Sequence, residues 1–582
     1  MFGFTRKPAE TAALVPVAQA QMLNAVGHFA GRDGGSFYTA VHEELAQKWS
    51  WYEGVMYDDL RYDWAGAPMT RNTSGLLAKA LVPRADGVPP GFRSMNVPKL
   101  AERRPTSPQR VVPRVVDRFT SLLFGEDCHP KIRCIGDEQT GYWLQSFAAT
   151  SRLWSKMVMA RTIGGAQGAV GIGLRAVDGQ PRIDVFDPRF TKQFWRDREE
   201  LILRAIEVRY KIPVLVKVKG GDRELVHYWV RRVVSDQADL RYYPVWCSKR
   251  QGMELEDGVS VRENPSGQEP DWERLINPDE SVRHDLGFCP VVWIQNSASH
   301  TSEYGREDCA GLYGQARDID EQRAQISQCV KANLDPTVVM TTEDGSFPEN
   351  LKKGHGQGIG LQKGNTASYL EANLGTVTIA SSWFERCIDG FFKEADCLEL
   401  AKDAGTPQTA TEIRQKMGPQ QSRTSMLREQ YGQLGVRRVL EMAIKMERAN
   451  NSRTNGEGQP LGFSELEPRI VKPEVGEDRV ESVRLGPGGY IEVSWPPIAR
   501  PSVAEVGQAV TAAVGAKQGG VADVETAVAF AAPYLGVEDA GALVARLKTE
   551  AEETARAQQQ FGGGQPPTAL PQEPTGQEPP VF

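Results

Sequence analysis

The sequence lacks the short motifs that mark most enzymes, metal proteins and membrane proteins. No Gly-Lys-Ser or Gly-Lys-Thr occurs in its 582 residues, so there is no phosphate loop whose N–H groups and lysine would cradle a nucleotide. No Gly-x-Ser-x-Gly nucleophile elbow occurs either. The eight cysteines, at 128, 134, 247, 289, 309, 329, 387 and 397, form no CxxC pair and no Cys/His cluster. They read as reduced, mostly buried thiols of a protein made in cytoplasm. The seven histidines are scattered without HExxH spacing, so the expectation is no metal and no cofactor. No apolar run approaches the ~18–20 residues of a bilayer span, and residues 1–10 have no signal-peptide core, so no membrane partner is expected. Positive charge is also in deficit, with 68 Lys+Arg against 75 Asp+Glu and a net charge of -7. That balance argues against a protein whose main task is to grip nucleic acid. It leaves room only for weak contact with a polyanion, because each Lys or Arg contact to phosphate releases counterions and adds affinity.

What is present is length enough for several domains, with 40% hydrophobic and 25% charged residues to build cores and a soluble surface. The class expected is α+β. Residues 1–35 read as loose, and Phe37, Val41, Leu45, Trp49, Tyr52 and Met56 keep helical spacing. Residues 61–107 read as an extended arm. Helical patterns cover 111–124 and 139–162. Short β-type runs follow at Ala169–Arg175, Arg182–Phe186, Leu201–Tyr210, Val214–Val218 and Leu225–Val233, predicting an antiparallel region. The acidic, turn-rich stretch 253–285 reads as a surface insertion, and 451–488 as irregular.

From Leu286 to Asn450 the chain reads as one composite. A strand ending at Ile294 leads through a polar loop to a helix expected from Arg306 to Asn333, where Cys309, Leu312, Tyr313, Ala316, Ile319, Ile326, Cys329 and Val330 form one stripe. Its other face carries Arg306, Glu307, Arg317, Asp318, Glu321, Arg323 and Lys331. At ~1.5 Å per residue such a helix is about 40 Å long. It stops at Asp335-Pro336, and a β excursion follows with strand-like Thr337–Met340 and Ala367–Leu370 around a glycine- and lysine-bearing stretch. Helix resumes near Thr378, breaks at Gly405-Thr406-Pro407, and runs again from the Thr409–Glu412 capping box to Asn450. Gly164-Gly165 and the run from Gly354 to Gly360 read as turn or loop glycines. Asp318-Ile319-Asp320-Glu321 reads as a solvated or intersubunit charge cluster, since consecutive helical positions point apart. A strand at 490–495 and a helical module at 500–558 follow. The tail 559–582 is expected to be disordered, with six prolines and four glycines in its last 22 residues.

The order of these elements resembles the portal proteins of tailed double-stranded DNA bacteriophages. The residues that carry the resemblance are the Gly287–Ile294 strand, the Asn296–Asp308 loop, and the helix with Leu312, Tyr313, Asp318, Ile319 and Asp320. The β excursion, the Trp383–Cys397 helix, the Ala401–Gln408 break and the Thr409–Asn450 helix continue it, flanked by Asn96–Ile132 upstream and Tyr490–Trp495 downstream. The resemblance implies a wing at 1–305 and 409–499, stem helices at 306–333 and 377–396, a clip at 334–376, a tunnel loop at 397–408 and a crown at 500–558. It also implies a dodecameric ring at a capsid vertex of the virion, assembled in host cytoplasm, that passes double-stranded DNA without reading its sequence. Partners implied are the large terminase, a head–tail adaptor, and the major capsid protein or scaffold. In these terms Lys402, Asp403, Gly405, Thr406 and Gln408 would meet DNA. Arg317, Arg323 and Lys331 would form the stem's charged face, and Lys352, Lys353 and Lys363 would serve partner binding by the clip. No catalytic residue is expected. Two alternatives remain open: another head–tail structural protein, such as a capsid or adaptor subunit, and a DNA-packaging enzyme, which the absent phosphate loop disfavours.

Overall fold

A computed structural model describes residues 40–56, 108–126, 128–177, 179–217, 223–249, 261–264, 270–300, 302–334, 337–341, 366–370, 374–397, 410–451, 463, 466, 468–471, 479–481, 483–496, 498, 503–518, 523–535, 541, 543–550 and 552. The fold is mixed α+β with antiparallel sheets, and the chain divides into two compact units, 1–496 and 497–582.

The first unit opens with α1 (Ala40–Glu53) and α2 (Val111–Phe124). In α2 the residues Val112, Val115, Val116, Phe119 and Leu123 recur at three- and four-residue steps, and all are buried. Strand β1 (Lys131–Ile135) precedes α3 (Glu138–Thr150), which Asp137 caps by accepting from the Thr140 N–H at 3.2 Å. The single helix expected over 139–162 is two helices. Arg152 takes a left-handed φ of 54° and separates α3 from α4 (Leu153–Gln167), which ends at Gly168 with φ 102°.

Strands β2 (Ala169–Val177), β3 (Gln180–Phe186) and β10 (Val291–Gln295) form a three-stranded sheet in the order β10-β2-β3. The larger sheet runs β4 (Thr191–Asp197), β5 (Ile202–Lys217), β6 (Arg223–Ser235), β7 (Ala238–Arg241) and β9 (Val282–Arg283), with β8 (Val245–Trp246) on β6. Two expected strands at 201–210 and 214–218 are thus one strand, β5, which continues through Pro213. β4 pairs only as far as Val208, so Pro213 lies beyond it, where a missing N–H costs no β4 ladder bond. The stretch read as a surface insertion is partly core. Trp272 and Ile276 are buried with Ala205, Val233, Leu240 and Val245, and β9 joins the sheet, because the aromatic ring finds apolar surface that the acidic composition concealed.

After a loop come α5 (Tyr313–Leu334), the paired strands β11 (Thr337–Thr341) and β12 (Thr366–Leu370), and α6 (Leu374–Glu394). A continuous helical run follows: α7 (Ala410–Glu429), a π-helical segment (Gln430–Arg437) and α8 (Arg438–Asn451). The region read as irregular contains the short pair β13 (Arg469–Val471) and β14 (Arg479–Glu481). Strand β15 (Tyr490–Ser494) closes the unit by pairing with β1. The main core gathers α2, α3, α4, β2, α6 and α8 around Phe119, Trp143, Phe147, Phe391, Tyr431 and Leu440.

In the second unit, α9 (Val503–Gln518) and α10 (Val524–Leu535) share the buried alanines Ala513, Ala527 and Ala531. Among the described residues, no helix is long and apolar enough to cross a membrane.

Candidate functional site

The helix–hairpin–helix formed by α5, β11, β12 and α6 is the candidate site. The hairpin reverses the chain, so α5 and α6 run antiparallel. Gln315 in the first turn of α5 accordingly donates to Glu394 in the last turn of α6 at 2.6 Å. Both helices bury their roots and expose the ends toward the hairpin. On α5, Ala316, Ile319 and Ala324 are buried while Cys329 and Val330 are exposed; on α6, Ile388, Phe391 and Phe392 are buried. Further toward the hairpin, Ile379 and Trp383 are 73% and 57% exposed at i, i+4 spacing on one face of α6. Glu385, Arg386 and Asp389, carrying both signs of charge, are exposed nearby on that helix.

A buried polar hub holds the root. The Asp308 carboxylate is fully buried and accepts from Arg161 on α4 at 2.8 Å and from the Asn296 amide at 3.0 Å. Asn296 in turn accepts from the Tyr431 hydroxyl at 3.2 Å. Arg423 on α7 donates to the Asp308 carbonyl at 2.6 Å and, at the end of α6, to the Ala395 carbonyl at 2.8 Å. One guanidinium therefore ties the lead-in of α5 to the exit of α6. Burial alone would lower Arg161, but Asp308 and Tyr431 beside it carry its pKa above the ordinary arginine value. Burial pushes the Tyr431 hydroxyl well up, so it stays a neutral donor. Removing one partner from such a cluster leaves the other charge buried and uncompensated, which costs about 3–5 kcal/mol.

Glycines make the hub possible. A Cβ on Gly164 would strike the Tyr431 hydroxyl, and one on Gly165 would strike Arg161 and lie 2.6 Å from the Asp308 carboxylate. These residues, read as turn glycines, sit inside α4, where their missing side chains admit the polar groups. In the π segment, Cβ atoms on Gly432 and Gly435 would lie 2.8 Å from Trp495 and Ile294.

The hub also moves the start of α5. Helical spacing predicts a start at Arg306, yet α5 begins at Tyr313. Gly305 and Gly311 take φ of 63° and 81°, and N–H groups between them are spent outside a helix, Arg306 on the Ser297 carbonyl and Asp308 on Gly165. Asp308 is presented to Arg161 as a result.

Of the charged face expected on the stem, Arg317 is half-buried and pairs with Glu321 at 2.9 Å, and Arg323 is half-buried. Lys331 lies in the last turn of α5, and its side chain is outside the described residues. Lys352, Lys353 and Lys363, like Lys402, Asp403, Gly405, Thr406 and Gln408 and the capping residue Thr409, also lie outside the described residues. The 318–321 cluster does point apart, but not all to solvent: Asp318 is exposed, whereas Asp320 is buried and accepts from the Gln109 N–H at 2.6 Å. Sequence reasoning missed Arg161, Asp308, Asn296, Arg423 and Tyr431. The available signal was an arginine within the apolar helical run Met157–Ile163, which needs a buried carboxylate partner. Among the described residues, no group of three or more His, Cys, Asp or Glu side chains is arranged to hold a metal.

No protein-family model matches the chain, and no curated protein matches it in sequence.

Proposed function

We propose that the chain is the subunit of a ring-shaped portal, through which double-stranded DNA is packed into a capsid and later released. The observation that carries this reading is the antiparallel α5–α6 pair, rooted in a buried polar hub and ending in a β-hairpin, with Ile379 and Trp383 open on its flank. A soluble subunit that leaves a tryptophan and an isoleucine side by side in water has a reason to cover them. In the ring, that face packs on the neighbouring copy, and residues 334–376 meet the terminase first and the head–tail adaptor later. Residues 397–408 line the channel, with Lys402 touching phosphates transiently and Asp403 limiting the net attraction. The subunit performs no chemistry; it is made in the host cytoplasm and ends at one vertex of the virion, against the major capsid protein or scaffold.

Electron microscopy of the purified full-length protein tests the reading. The expected particle is a ring whose hole admits a DNA duplex, and the same preparation should not hydrolyse ATP. Shells, or monomers at high concentration, would instead favour another head–tail component, and intrinsic ATPase activity a packaging enzyme. Trp383→Ser with Ile379→Ser should shift rings toward single subunits; undiminished ring formation would remove this face from the contact.

A further inference from the structure

The outward side of α8 carries Arg438, Glu441, Lys445 and Arg448 at three- and four-residue steps, and Arg437 precedes them at the end of the π segment. These residues reach the β1–β15 pair and its lead-in. Arg437 donates to the Tyr490 hydroxyl at 3.3 Å and lies over its ring at 4.6 Å, while Arg448 donates to the Pro487 carbonyl at 2.7 Å. Helix and strands therefore share one surface. On β1 the outward residues are Lys131, Arg133 and Ile135, and the register sets Ile135 opposite Tyr490. Ile135 and Tyr490 are 56% and 55% exposed, so an apolar and an aromatic side chain stand open among the bases.

The sign of this surface is opposite to that of the chain. The 582 residues carry a net charge of -7, yet here Lys131, Arg133, Arg437, Arg438, Lys445 and Arg448 stand against Asp137, Glu441 and Glu492. Those acids are engaged within the subunit. Glu441 accepts from Arg437 at 2.9 Å, Asp137 accepts from the Gly488 N–H at 2.7 Å and from the Thr140 hydroxyl, and the register places Glu492 opposite Arg133. The excess is positive. Because the Tyr490 hydroxyl accepts from Arg437, its own proton can be donated outward.

We propose that this surface is a second contact for double-stranded DNA, separate from residues 397–408, which it holds by phosphates without reading sequence. The proposal rests on the portal reading, in which DNA is the polyanion at hand. Lysine, arginine and the tyrosine hydroxyl are all groups that bind phosphate oxygens and position a duplex. Ile135 supplies apolar surface beside them. Along α8 the stripe from Arg438 to Arg448 covers about 15 Å, the length of some four nucleotide steps at ~3.4 Å per step of one strand. A charged helix face alone would be an ordinary solvated face. The reversed sign and the open Tyr490–Ile135 pair at its margin are what distinguish this one.

A covalently closed circular duplex cannot thread a closed ring, so its retention by the full-length protein reads this surface and not a channel. Retention should weaken log-linearly as salt rises. Lys445→Glu should cut affinity about ten-fold near ~0.1 M salt, because one lost phosphate contact with a slope of about 0.9 costs that factor over the decade below ~1 M. Tyr490→Phe removes only a neutral donor, so it should weaken binding by about two- to ten-fold and leave the salt slope unchanged. Both side chains are exposed, so both variants should fold. Three results would each overturn the proposal: no retention of the circle at low salt, parental retention by Lys445→Glu, or polyglutamate displacing the circle as well as free duplex does. The last would assign the surface to an acidic polypeptide. Absence of rings in the microscope, by contrast, removes the portal reading, and retention of the circle by single subunits still reports on this surface.

Discussion

Adding one methyl group at Gly165 should destabilise the protein, although alanine is the better helix former. In the middle of a helix, glycine to alanine ordinarily gains about 1 kcal/mol. Gly165 lies within α4, but its added Cβ would strike Arg161 and sit 2.6 Å from the Asp308 carboxylate, in the interior of the hub. Neither side chain has room to retreat, because both are fully buried. Separating them forfeits about 3–5 kcal/mol. The net expectation for Gly165→Ala is therefore a loss of roughly 2–4 kcal/mol, by subtraction of the helix gain. Gly390, inside α6, has nothing within 4 Å of its added Cβ, so Gly390→Ala should stabilise by up to about 1 kcal/mol. For a unit of nearly 500 residues, each kcal/mol moves the melting temperature by roughly one degree. Differential scanning calorimetry should thus show Gly165→Ala melting a few degrees below the parent and Gly390→Ala slightly above it. If Gly165→Ala melts at or above the parent temperature, the hub is not the tight, over-determined cluster described.

His42 is buried against the Thr191 carbonyl at 3.3 Å. Burial, helped by Lys192 and opposed by that carbonyl, holds its pKa below the usual 6.5. The unfolded chain therefore takes up a proton that the folded chain refuses, and stability should fall as pH drops below about 6.5 toward the folded value. His42→Gln should flatten that slope in denaturation series between about pH 7.5 and 5.5, and an unchanged slope would discount the site. A maleimide should label the exposed Cys329 in the native protein but not Cys289 or Cys309, whose thiols burial pushes far up; mass spectrometry of the labelled peptides decides. Lys402→Glu should leave ring assembly intact but alter DNA packaging or retention, with an effect that shrinks as salt rises. Equal packaging and retention at low salt would take this lysine out of the channel.

The parts of the fold that were legible in the sequence are those fixed by local periodicity. The valines, Phe119 and Leu123 of α2 define its apolar face without help from any other element, and the β-branched runs of β2, β6 and β15 announce themselves in the same way. The α5–hairpin–α6 order was equally readable, because Pro336 and the strand residues punctuate it. What escaped were features made by distant partners. Arg161 meets Asp308 across 147 positions, so nothing local marks either as half of a pair. Leu312 continues the stripe of α5, but Gly305 and Gly311 divert the backbone before the helix can begin. The π segment shows in the sequence only as one five-residue step, Tyr431 to Val436, between the four-residue steps Leu427–Tyr431 and Val436–Leu440, and a single irregular step does not separate a π segment from a change of buried face.

The pairing of β1 with β15 joins Ile135 to Tyr490 and Lys131 to Ser494, and this has a consequence for synthesis. A ribosome that has made β1 must add some 350 further residues before its partner strand emerges, which takes on the order of half a minute at 5–20 residues per second. Throughout that interval β1 offers an open backbone edge to any other growing chain. Its outward positions, however, are Lys131, Arg133 and Ile135, and the two charges among them discourage edge-to-edge pairing between chains. The last strand of the first unit thus acts as a completion check: a chain terminated before residue 490 keeps an unpaired β1 and cannot close the unit that carries the α5–α6 pair.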